Sequence, residues 1–178
     1  KSLLGGSGED RRPLLPKECE ILGIENYISY NFPDNGLDSV LLLDIIQSIE
    51  EYVVKEKFIP DIVFTHTPFC LNIDHRKVYE ATITCFRGLE KYNKIKILSY
   101  EVVSSTEWHP INQFTPNVYI NVEKYIEYKH QALDLYAGEM RPLPHPRNWQ
   151  NILNKMSVSG SECGCLYAER FQLVREVL

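Results

Sequence analysis

At 178 residues, 44% hydrophobic and 24% charged, the chain is the size of one soluble globular domain and long enough to bury a proper core. A net charge of -5 argues against a general nucleic-acid or anionic-membrane binder, because phosphate backbones are gripped by surplus Lys and Arg. No apolar run approaches the roughly 20 residues that span a bilayer, and Lys1–Gly8 has no apolar stretch of the kind a signal peptide needs.

Lys1–Arg12 is Gly-rich and charged and reads as a loop. A short helix is expected from Pro16 to Leu22, with Pro13 and Pro16 in or before its first turn and Gly23 as its left-handed stop. Tyr27–Phe32 alternates and carries aromatics, which reads as a strand, and Pro33-Asp34-Asn35-Gly36 reads as a turn. Asp38 or Ser39 can cap a helix running to Glu56, whose Leu42, Ile45, Ile46, Ile49 and Val53 share one face. Asp61–Thr65 is a nearly continuous apolar run, as in a buried parallel strand. The loop His66–Ile73 leads into a helix over Asp74–Glu90 with Val78, Ala81, Cys85, Phe86 and Leu89 inward.

Ile95–Tyr100 and Val118–Val122 are two further strands. Glu123–Ala137 reads as a helix that presents Ile126, Leu133 and Tyr136 inward and stops at Gly138. The Pro-rich loop Arg141–Arg147 precedes a helix over Asn148–Met156, and the tail Tyr167–Val177 is short and mixed. The five cysteines, Cys19, Cys70, Cys85, Cys163 and Cys165, are odd in number and scattered, so no disulfide framework is read and a reducing cytoplasm is expected. Cys163-Gly164-Cys165 has the wrong spacing for a zinc ribbon or a C-x-x-C redox pair, and reads as a turn with two small buried thiols.

Helices alternating with strands give an α/β fold, with the ligand crevice beyond the C-terminal ends of the strands. That rule points at His66–His75. The loop holds two imidazoles, a carboxylate and an amide (His66, His75, Asp74 and Asn72), a set that suits a hydrolytic metal site. The plainer reading of the same residues is a helix cap beside a satisfied histidine. No Gly-rich phosphate loop is present: Gly5-Gly6-Ser7-Gly8 has neither the spacing nor a preceding strand.

Asn72-Ile73-Asp74-His75-Arg76, following a strand that ends Thr65-His66, resembles the second motif of the PIG-L/LmbE family of zinc-dependent N-acetyl-sugar deacetylases, in its Asn-x-Asp-His branch associated with polysaccharides. Leu22-Gly23-Ile24 with Phe32-Pro33-Asp34, then Glu101–Trp108, Arg141–Arg147 and Tyr167–Phe171, resemble further family segments in family order. The resemblance covers residues 11–175. It implies a Rossmann-like three-layer sandwich with a mostly parallel sheet, as a single domain over residues 1–178.

It also implies roles. His75 is the expected metal ligand, for Zn2+ or another divalent metal. Asp74 is the expected polar partner beside the site. Asn72 stands where the family more often has a His that supports the developing oxyanion, so His66 or His145 is expected to supply the proton relay an amide cannot. Arg11, Asp34 and Arg147 are the expected substrate-binding residues, although Leu14 occupies the position of a family Glu. The family's opening His-Pro-Asp-Asp, which supplies two zinc ligands and the general base, occurs nowhere in this sequence, and the expectation is that the sequence is incomplete at its start. The expected function is hydrolysis of the N-acetyl group of an amino sugar or glycan intermediate, with an N-acetylated sugar as partner and neither nucleic acid nor a membrane span. The alternative is a non-catalytic sugar-binding or interaction domain.

Overall fold

The computed structural model describes residues 11–111 and 113–178; the loop expected over residues 1–12 therefore lies almost wholly outside the described residues. Four strands, β1 (Ile62–His66), β2 (Lys96–Tyr100), β3 (Val118–Asn121) and β4 (Ala168–Arg175), follow the order β1-β2-β4-β3 in one sheet. β1 and β2 are parallel, whereas β2 and β4 are antiparallel, with a register irregularity at Ile97/Leu98. The fold is α/β as expected, but the sheet is only partly parallel rather than mostly so. The difference comes from β4, because the mixed tail is a strand of eight residues. Its buried residues, Ala168 and Phe171, are three apart, so the tail lacks the alternation that announces a strand.

Contacts group the chain into two compact units, residues 1–31 with 119–169 and residues 32–118 with 170–178. In the second unit the core gathers Ile45, Ile46 and Val53 from α2 (Leu42–Glu56), Ala81 and Cys85 from α3 (Ile73–Cys85), and Phe86, Tyr92, Ile95 and Ile97. These are largely the stripes the helical period picks out. α2 ends at Glu56 as expected, but it starts at Leu42 and has no side-chain cap. Asp38 and Ser39 instead sit in a preceding 3-10 turn, where the Ser39 hydroxyl donates to the Gly36 carbonyl. α3 stops at Cys85, short of Glu90, and leaves Leu89 exposed. β1 is parallel as expected but not buried: Ile62 and Phe64 are 45% and 44% exposed, because β1 stands at the edge of the sheet.

In the first unit, α1 (Leu15–Leu22) carries Pro16 in its opening turn and ends at Gly23 with φ 68°, as its sequence requires. Tyr27–Phe32 is not a strand. Alternation makes a strand only where a neighbour completes the ladder, and Tyr27, Ile28 and Tyr30 are instead exposed. The helix expected over Glu123–Ala137 is a 3-10 turn followed by α4 (Ile126–Asp134), and Gly138 lies within a further 3-10 turn rather than at a left-handed stop.

α5 (Trp149–Cys163) is capped by Asn148, whose side chain accepts from the Gln150 N–H, and it runs well past Met156. Its Ser- and Gly-rich second half looks like a breaker, but Gly160 serves packing. A β-carbon there would stand 2.6 Å from the Cys165 carbonyl oxygen and 2.7 Å from the Leu166 carbonyl. Gly160→Ala gains roughly 1 kcal/mol of helix propensity but forces backbone against backbone, a class of overpacking that costs about 1–3 kcal/mol. The net expectation is a lower melting temperature, read by circular dichroism; an unchanged or raised value would mean the chain after α5 yields freely.

Candidate active site

The histidine loop lies in the second unit. In the parallel register, His66 at the end of β1 stands beside Tyr100 at the end of β2. The Tyr100 hydroxyl is 3.2 Å from His66 Nε2. Burial, reinforced by the neighbouring Cys70, pushes the Tyr100 pKa up to about 12, so the hydroxyl keeps its proton. The His66 ring stacks on His75 at 4.2 Å between centroids, with the planes 13° apart. Burial first, and then His75, pull the His66 pKa down to about 3. The imidazole is therefore neutral near pH 7, which conflicts with the expectation of His66 as proton donor.

Asn72 caps α3. Its side-chain oxygen accepts from the Asp74 N–H at 2.8 Å and the His75 N–H at 3.4 Å. Its amide nitrogen donates to the Asn35 side-chain oxygen at 3.1 Å. Asp74 reaches the same turn: one carboxylate oxygen accepts from the Asn35 N–H at 2.6 Å, the other from the Leu37 N–H at 2.9 Å. The turn of Asp34 and Asn35, with Asn35 at φ 52°, is thereby tied to the start of α3. The Asp74 carboxylate and the Asn72 side-chain oxygen are spent on backbone N–H groups, which is the cap reading of the motif.

His75 has a partner that sequence spacing did not expose. Its Nδ1 lies 3.0 Å from Cys70 Sγ, which lies 2.9 Å from Ser105 Oγ. Cys70 is fully buried. Burial raises its pKa, but the hydrogen bonds from His75 and Ser105 outweigh that and bring it down to about 7. Arg76 donates to the carbonyls of Cys70 and Leu71 at 2.6 and 2.7 Å and closes the loop over the thiol. Cys70 is one of five scattered cysteines in the sequence, and Ser105 lies in a distant segment, so no local signal joins them.

In the first unit, Glu139 accepts from Arg147 at 2.9 Å and pairs with Arg11 at 3.6 Å. A carboxylate not singled out in the sequence thus joins two of the expected substrate-binding arginines. His145 Nδ1 accepts from the Arg147 N–H at 3.0 Å, which orders the Pro-rich loop. Trp149 stacks on His130 at 4.2 Å and so serves packing. α1 and α4 flank a cavity of about 780 Å³, faced by Tyr125, Tyr128 and Tyr136, to which none of the expected site residues contributes.

Among the described residues, no group of three or more His, Cys, Asp or Glu side chains is placed to hold a metal ion. His75 Nδ1 is already engaged, and a catalytic zinc takes about three protein ligands. The described donor set therefore does not by itself fit a zinc centre. No described helix is long and apolar enough to cross a membrane.

A family model described as PIG-L, GlcNAc-PI de-N-acetylase, matches residues 6–86, a span that includes the whole histidine loop. The match spans a little under half of the chain and agrees with the resemblance to the PIG-L family. Solved structures similar to this chain share its fold. The conserved protein TT1542 from Thermus thermophilus is 19% identical over 97% of this chain and 76% of its own, with a TM-score of 0.72. The N,N'-diacetylchitobiose deacetylase from Pyrococcus horikoshii is 19% identical over 96% and 68%, with a TM-score of 0.70. The A40926 pseudoaglycone deacetylase Dbv21 is 16% identical over 94% and 71%, with a TM-score of 0.63.

Acid stability follows from His66. An unfolded His66 takes a proton near pH 6.5, whereas the folded one refuses it until about pH 3. Between those values the unfolded state binds more protons, so stability is lost as pH falls. In chelator-treated protein, urea unfolding at pH 7.5 and 4.5 is expected to show His66→Phe losing about 2.7 kcal/mol less than the parent. Equal losses would mean His66 is not held neutral.

Proposed function

We propose that this chain acts in hydrolysis of the N-acetyl group of an amino sugar or glycan biosynthetic intermediate, releasing acetate and a free amine, in the cytoplasm. The observation that carries this reading is the family match over residues 6–86, whose description names a de-N-acetylase and whose span contains the stacked His66 and His75. The deacetylase names of two of the structural neighbours described above agree with it. Zn2+ or another divalent ion is the cofactor this reading calls for; it would polarise the acetyl carbonyl and acidify water, with His75 as the ligand contributed here. A further neighbour, covering 57% of its own chain at a TM-score of 0.55, is a zinc-inhibited form of teicoplanin deacetylase Orf2.

The other roles belong to this chain's own side chains. Cys70 and the His66 ring fix the plane of His75, and Asn72 and Asp74 hold the turn carrying Asp34 against the start of α3. Asp34, Arg11 and Arg147 are assigned to the sugar. A departing amine needs a proton, and a neutral His66 has none to give near pH 7, so His145 is the histidine assigned to that step. Sugar binding without hydrolysis is the second reading, and the incomplete donor set among the described residues favours it.

The test is acetate release from N-acetylglucosamine and N,N'-diacetylchitobiose, with and without added Zn2+, beside calorimetric binding of the same sugars. Chelator-sensitive acetate release supports the enzyme. Sugar binding with no acetate under any metal overturns it in favour of the second reading.

A further inference from the structure

The Cys163-Gly164-Cys165 segment differs from the two buried thiols expected there. Cys163 is exposed and Cys165 half-buried, and their sulfurs lie 3.6 Å apart. The local fold makes that approach. Cys163 is the last residue of α5, and Gly164, at φ 85°, takes the left-handed stop and turns the chain back. The Gly164 and Cys165 N–H groups both donate to the Gly160 carbonyl, at 2.8 and 3.0 Å. The Leu166 N–H donates to the Glu123 carboxylate at 2.7 Å, which fixes the far side of the turn. Both thiols are therefore held on an ordered turn, side by side and open to solvent on one side. The other three cysteines, Cys19, Cys70 and Cys85, are buried.

We propose that Cys163 and Cys165 form a thiol–disulfide exchange site, closed by small-molecule disulfides of the glutathione class. The Cys163 thiolate attacks one sulfur of the oxidised glutathione disulfide; that bond breaks and one glutathione thiolate leaves. Cys165 Sγ then attacks Cys163 Sγ in the mixed disulfide and expels the second glutathione. The protein dithiol is oxidised by two electrons, the glutathione disulfide is reduced to two thiols, and the two protein thiol protons end on them. The ring so closed is small, and strained disulfides are the readily reduced, labile ones, so reduced glutathione reopens it. Such a site responds to redox state within a reducing compartment rather than cross-linking the fold.

Reduced, full-length protein is incubated with oxidised glutathione, quenched in acid, alkylated and mapped by peptide mass. The expected result is a single peptide spanning both cysteines that has lost two hydrogens, carries no glutathione and resists alkylation. Cys165→Ser is expected to stop at the mixed disulfide and retain one glutathione on Cys163. Circular dichroism of both forms confirms that the fold persists. Two outcomes overturn the proposal: a parent protein that keeps glutathione on Cys163 without closure, or one in which both thiols remain fully alkylated at millimolar oxidised glutathione. Stoichiometric closure followed by full reopening in reduced glutathione confirms it.

Discussion

Acetate release is expected to fall by more than about 100-fold in His75→Ala, because groups that merely orient a metal ligand are already worth 10–100-fold. The variant removes the proposed ligand, the ring stacked on His66 and the partner of Cys70 Sγ at once. Metal bound per chain, measured after dialysis, is expected to fall with the activity. Cys70→Ala separates these effects: it keeps the His75 ring and removes the contacts of Cys70 Sγ with Nδ1 and with Ser105 Oγ, so a loss of about 10–100-fold is expected, with recovery in Cys70→Ser. Unchanged metal content and turnover in His75→Ala would refute the ligand role. A drop in turnover at constant metal content would make His75 a positioning residue instead.

Asp74→Ala is expected to lose about 2–4 kcal/mol of stability. Its carboxylate accepts two backbone N–H groups, from Asn35 and Leu37, and hydrogen bonds to a charged group contribute about 1.5–3 kcal/mol each. Partial exposure of the turn brings that sum of about 3–6 kcal/mol down by about a third. Urea unfolding gives the size of the loss. Amide exchange gives its place, with protection expected to vanish at Asn35 and Leu37 before it does in the core. Asp74→Asn, which retains one acceptor, is expected to recover about half the loss. A variant that unfolds like the parent would show that the turn is held by Asn72 alone.

What was legible in the sequence was whatever local chemistry enforces. Pro16 and Gly23 bracket α1, the apolar stripe of α2 is buried as its period requires, and Asn72 opens α3. β4 was not legible, because its buried residues do not alternate and polar residues occupy the positions between them. The extension of α5 beyond Met156 was not legible, because its Gly160 is required by a close backbone approach from beyond the helix end rather than by helix propensity. At the candidate site, the sequence placed His66, Asn72, Asp74 and His75 around one loop. It missed Cys70 with Ser105, and Glu139 with its two arginines, since each pairing joins residues that no spacing relates.

β1 affects how the protein behaves in concentrated solution. Among the described residues it pairs with β2 on one side, while Ile62 and Phe64 remain open to solvent. A margin of that kind grows by accretion: the backbone offers ladder positions to any extended segment that arrives, and the two apolar side chains are buried when it does. No charged residue lies within Ile62–His66 to discourage the encounter. Ile62→Lys is expected to lower self-association at high concentration, read by light scattering, without touching the histidine loop at the strand's other end.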